Sequence, residues 1–217
     1  MNQIFKKEAW SVLADSAKNF GFVATAQDTD NYARLWSRDS AIASLAVLSH
    51  GKEELYPAVK SSVLNLLEAV GEGGVFPSNA SFDNDEKRTG QSYGGPVGRT
   101  DSPFWWAVTA LSYMEAVQDL SIKAVVAEAI EEIERRAQAW EFNNKHLMYS
   151  PASSNWADEY PVEGYILLNN VLRYWMLKKA SRLLSSEKYA NKAQKISGAV
   201  KYHFFGEPAQ TELLFTP

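Results

Sequence analysis

The rhythm of the connections narrows the fold more than any other feature of this sequence. Apolar residues recur at helical spacing in seven stretches, near residues 4–20, 39–50, 53–71, 103–118, 121–139, 163–184 and 186–203. AVVAEAIEEIERRAQAW shows the pattern best: Val125, Val126, Ala129, Ile130 and Ile133 form a stripe, with acids and arginines between them. Strand signals are scarce. HGK, QDLS and SSE are joints of a few residues, and short joints make antiparallel neighbours of the helices they connect. The other three connections, residues 21–38, 72–102 and 140–162, are long. Short and long alternate strictly. In a stack of antiparallel helices, alternate connections lie at opposite ends, so all the long ones share one end. Unstructured connections beyond about 12–15 residues are uncommon in compact domains and tend to be functional. Three at one end make a site. The expectation is an all-α fold of antiparallel helical hairpins, one domain over residues 1–217.

Composition then removes whole classes of function. The hydrophobic share of 46% is enough for a sizeable core. A net charge of −4 with no basic cluster makes nucleic acid and anionic membrane surfaces poor partners. There are no cysteines, hence no disulfide framework and no thiolate nucleophile or metal ligand, a usage that fits the cytoplasm. The opening MNQIFKKEAWSVLADSAKNF has no long apolar run, so neither a signal peptide nor a membrane span is expected there. His50, His146 and His203 are far apart and make no metal spacing, and no metal or cofactor is expected. The glycines of GQSYGGPVG follow no strand and are no dinucleotide fingerprint. They read as a flexible lid or rim, and GGVFPSN as a turn.

The long connections carry the chemistry. In LWSRDSAIASL, Trp36, Arg38 and Asp39 crowd the mouth of an apolar helix. Asp39 suits the N-cap, where its oxygen accepts a backbone N–H. Capping leaves Trp36 and Arg38 unexplained. An Arg–Asp pair beneath an indole suits a sugar: the planar groups bond adjacent hydroxyls while the ring covers the C–H face. RTDSPFWWAVTAL repeats the design, with Asp101 or Ser102 as cap and Pro103 in the first turn. Trp105 and Trp106 face different ways, so one belongs to the core. In SSNWADEYP, Asp158 and Glu159 follow Trp156 ahead of another helix. A carboxyl beside an indole can hold its proton to higher pH through desolvation, as a general acid must. The plainer alternative for each carboxylate, a cap or a solvated loop residue, stands beside the catalytic one.

LWSRDSAIASL, GGVFPSN with RTDSPFWWAVTAL, and NWADEYPVEGYILLNNVLRYWML occur in the order of the six-hairpin glycosidases. Over about residues 31–180 they resemble the amylo-α-1,6-glucosidase domain of glycogen-debranching enzymes and its relatives, neutral invertases among them. The resemblance implies an (α/α)₆ toroid whose inner helices include 39–50, 103–118 and 163–184. It also implies inverting hydrolysis of an α-glucoside or related saccharide by two carboxyls about 6.5–9.5 Å apart. It makes Asp158 the general acid and matches Arg38, Asp39 and Asp101 to sugar-binding positions; Trp36, Trp156 and Glu159 complete the substrate-binding candidates, Glu159 also as a substitute acid. Two departures stand out. The family's general base lies in the later half of the toroid, and no counterpart precedes Pro217. The helix after the acid reads LLNNVLRYWML where the family has E-I-N-A-L. The expectation is the first half or more of a larger catalytic domain, whose open arc would expose inner-helix flanks and self-associate. The rivals are a non-catalytic carbohydrate-binding remnant and a helical scaffold for protein partners.

Overall fold

A computed structural model describes residues 3–27, 31–95, 97–142, 144–156 and 162–206, with side chains from residue 7 onward. Seven helices follow one another among these residues: α1 (Gln3–Ser16), α2 (Ser37–Ser49), α3 (Tyr56–Glu68), α4 (Ser102–Val117), α5 (Lys123–Ala139), α6 (Leu167–Leu183) and α7 (Glu187–Phe205). Each corresponds to one of the seven periodic stretches. Helices α2, α4 and α6 pack side by side as one layer. Helix α3 packs on α2 and α4, α5 on α4, and α7 on α6, which builds the second layer. All three helices of the first layer begin where a long connection ends, so they run parallel and their N-termini share one end.

The core lies between the layers. α4 is its axis: Phe104, Trp106, Ala107, Val108, Ala110, Leu111 and Met114 are buried, and the helix has apolar residues all round because it is covered on every side. Trp106 is the core member of its pair, its indole N–H bonded to the Val63 carbonyl of α3 at 2.8 Å. α5 and α7 instead bury a single stripe each, Val126, Ile130 and Ile133 on one and Tyr189, Ala193, Ile196 and Val200 on the other. Ile42 of α2 and Trp175 of α6, both in the first layer, remain exposed.

The chain is not wholly helical. β1 (Ala17–Lys18) and β2 (Gly21–Phe22) form a small antiparallel ribbon. It docks on α3, where the Phe22 N–H bonds Ser62 Oγ at 2.9 Å. Gly21 has φ of +128°, and a Cβ there would lie 2.5 Å from Ser62 Oγ, so only glycine fits. A second sheet has the order β3–β4–β5, from Leu35–Trp36, Asn79–Phe82 and Arg88–Ser92, all antiparallel. The β4–β5 turn is made by Asp83, whose Oδ1 accepts the N–H groups of Asp85 (3.0 Å) and Lys87 (2.8 Å). The second long connection, read from sequence as a turn and a flexible rim, is therefore partly a hairpin paired to the strand that precedes α2.

Candidate active site at the N-terminal end of the first layer

The β3–β4 pairing fixes the entry to α2. Trp36 pairs with Asn79, and Ser37 bonds the next connection twice, from its N–H to the Ser78 carbonyl (2.9 Å) and from Oγ to the Pro77 carbonyl (2.6 Å). LWSRD and VFPSN are thus neighbours in space. The helix consequently starts at Ser37, two residues before the expected start, with Trp36 extended at the N-cap. Asp39 falls inside the first turn and is exposed. It does not cap the helix, a correction to the sequence reading, although its charge still suits the positive end of the helix. Tyr32 and Trp36 stack with ring centroids 6.2 Å apart, both rings at least partly exposed.

Arg38 reaches from α2 to the start of α4. Its Nε donates to Asp101 Oδ2 at 3.4 Å, and its guanidinium carbon lies 5.6 Å from the ring centroid of Trp156, on the third connection. The order is therefore indole, guanidinium, carboxylate, one from each long connection. Trp156 is 50% exposed and Asp101 is fully buried. Burial pushes the Asp101 carboxyl above its ordinary range, against the opposing pull of Arg38 and of Arg99. Among the described residues its Oδ1 has no hydrogen-bond partner, and neither has the buried Nε1 of Trp105, one turn along α4. The indole dipole lies near enough to favour the charged carboxylate without meeting hydrogen-bond geometry.

Of the residues singled out from sequence, Arg38, Asp101 and Trp156 come together. Trp36 stands at the same end with Tyr32, and Asp39 faces solvent. Asp158 and Glu159, with Asp28 and Asp30 of the first connection, lie outside the described residues. Among the described residues, no group of three or more His, Asp or Glu is placed to hold a metal ion.

The residues that bind the connections to one another were given no role from the sequence. Asn169 Nδ2 on α6 donates to Thr100 Oγ1 and to Ser150 Oγ, each at 2.8 Å. Thr100 N–H bonds the Ser154 carbonyl at 2.8 Å, and Arg99 Nη1 bonds the carbonyls of Ser153 (2.7 Å) and Asn155 (3.0 Å). Asn170 accepts the Met148 N–H at 2.7 Å and donates to the Met148 and Ile166 carbonyls. Two consecutive amides, both fully buried, thus clamp the third connection. The signal was the NN pair at the head of an apolar helix, where two fully polar side chains have no packing reason to be. Asn170→Ala leaves the buried Met148 N–H unpaired and is expected to cost about 1–3 kcal/mol. Urea unfolding would read that cost, and amide exchange at Leu147–Trp156 should quicken more than in α3.

Comparisons with known proteins identify the family and the fold. The sequence profile of the alkaline and neutral invertases matches residues 6–204. The chain belongs to the alkaline and neutral invertase family. That places it in the six-hairpin glycosidase superfamily, within which the sequence motifs had pointed to invertases and, first of all, debranching enzymes. No curated protein matches the sequence. Among solved structures, a rhamnosidase from Klebsiella oxytoca with rhamnose bound superposes with a TM-score of 0.62 at 15% identity, over 92% of this chain. At that identity the likeness is one of fold. The chain spans 38% of the rhamnosidase's length.

Proposed function

We propose that this member of the invertase family works in glycoside hydrolysis, with the end of the first layer as its saccharide site and Asp101 as the proton donor. One observation carries the reading. At the meeting point of three long connections, a buried carboxyl that holds its proton above the ordinary range lies under an arginine and a half-exposed indole. A general acid needs a carboxyl protonated near working pH, and burial provides that. Arg38 limits the shift, so the carboxyl can also lose its proton during turnover. A sugar stacked on Trp156 and bonded by Arg38 would reach Asp101 by displacing part of that cover. An α-glucoside is the substrate class implied by the motifs, and sucrose is the one suggested by the family name.

Asp158, the acid implied by resemblance to debranching enzymes, is the rival to Asp101 for this role. The two are separated by the leaving group. A variant lacking the acid loses hydrolysis of sucrose, whose leaving alcohol needs a proton, and retains hydrolysis of a p-nitrophenyl glycoside, whose leaving phenolate does not. Asp101→Asn is expected to show that split and Asp158→Asn is not. The inverting course with a second carboxylate belongs to the same proposal, and no candidate base emerges among the described residues. Failure of the wild-type protein to hydrolyse any α- or β-linked disaccharide, with sugar binding retained, would favour a carbohydrate-binding remnant instead.

A further inference from the structure

Behind the second connection lies a separate cavity of about 450 Å³. That is within the range of about 300–1,000 Å³ typical of small-molecule sites. Arg38, Asp101 and Trp156 do not line it. Its inner wall is apolar, with Phe76, Phe104 and Ile133 all buried, and its rim carries Val97 and Trp140, 47% and 37% exposed. Exposed apolar side chains at the mouth of an apolar hollow mark a surface suited to an apolar ligand group.

The polar groups define the ligand. Arg136 of α5 lines the cavity, half-buried, and has no ion pair within 4 Å among the described residues. Glu132 on the same helix is bonded by both arms of Arg135, at 2.7 and 2.6 Å, and Arg136 acts on it only through its charge. The acid on the other wall, Glu72, is exposed to solvent. The second arginine of the lining, Arg99, is turned to the carbonyls of Ser153 and Asn155. An apolar hollow lined by a half-buried guanidinium without a direct ion pair among the described residues fits an amphipathic anion, because a carboxylate pairs with both guanidinium nitrogens in plane while a ring fills the hollow. We propose that this cavity binds a small organic acid, an apolar ring or short chain bearing one carboxylate, with the carboxylate on Arg136 and the ring between Phe104 and Trp140. The site stands apart from the glycosidase reading and does not depend on it.

Phenylacetate and its uncharged amide, phenylacetamide, test it by calorimetric titration of the full chain. The expected result is saturable binding of the acid, about tenfold tighter than the amide, as one charge-assisted contact gives. Arg136→Gln should bind the two equally, and Arg136→Lys should restore part of the preference. Arg136 is a partly exposed position on an outer helix, and circular dichroism would confirm that each variant is folded. No binding of either compound to the wild type, equal binding of both, or a preference that survives in Arg136→Gln would each overturn the proposal.

Discussion

Asp101→Asn is expected to lower kcat on a disaccharide by about 10²–10⁴-fold while saccharide binding stays measurable. The amide is close in shape, and its oxygen can still accept from Arg38 Nε, so the cover of Arg38 and Trp156 has no reason to collapse. The lost quantity is the proton. The pH profile adds an independent reading. Burial raises the Asp101 carboxyl and the Arg38 charge opposes it, so Arg38→Gln should move the alkaline limb of kcat/KM to higher pH. Stability carries the same sign. Native Asp101 keeps its proton at higher pH than the unfolded chain does. The native state therefore binds more protons across that window, and stability falls as pH rises through it. Asp101→Asn removes that slope, visible as a flatter dependence of urea midpoints on pH above the ordinary aspartate range.

The second large effect lies in the framework. Arg173 on α6 is fully buried and Glu134 on α5 is 1% exposed. They form a two-armed pair, Nε to Oε2 at 2.9 Å and Nη2 to Oε1 at 2.6 Å. Arg173 Nη1 also meets Glu141 Oε1 at 2.5 Å, and Lys192 of α7 holds Glu141 at 2.6 Å. The network ties α5, α6, α7 and the start of the third connection together. Arg173→Met strands Glu134 as a buried charge and is expected to cost about 3–5 kcal/mol. For a chain of this size that lowers Tm by about 6–20 °C. Arg173→Met with Glu134→Leu should recover much of the loss, since Lys192 still pairs Glu141 and no charge is left alone. Burial pushes the Glu141 carboxyl up, yet Lys192 and Arg173 together hold it below its ordinary range. Its contribution is thus present above the ordinary glutamate range and is lost as pH falls through the lowered value. Wild-type melting should show that acid-side loss, and Lys192→Gln should lessen it.

Helices were legible because their signal is local. Each periodic stretch holds one helix, and the alternation of joints led to the expectation that Arg38, Asp39, Asp101 and Asp158 would surround a common hollow; Arg38 and Asp101 meet, Asp39 faces solvent, and Asp158 lies outside the described residues. What escaped depended on partners distant in the chain. β4 and β5 are short and largely polar, with Asn79, Ser81, Arg88 and Gln91 in the pairing, so no alternation of apolar residues announced a hairpin. The start of α2 moved because Ser37 is held by Pro77 and Ser78, a contact across some forty residues. Glu134 sits in IEEIERR like any solvated acid, and only the arrival of Arg173 from α6 buries it. The weight given to Asp158 came from the resemblance to the debranching enzymes and from a tryptophan two residues before it. The desolvation at Asp101 comes from the packing of α4 beneath two other connections, which no nearby residue encodes.

The indole N–H signals of the seven tryptophans, followed by NMR while sucrose is added to the full chain, test most directly whether the three connections form a saccharide site. Trp156 and Trp36 should shift and saturate together, and Trp106, bonded to Val63 in the core, should not move. Saturable shifts confined to other tryptophans, or none at any sugar concentration, would contradict the account.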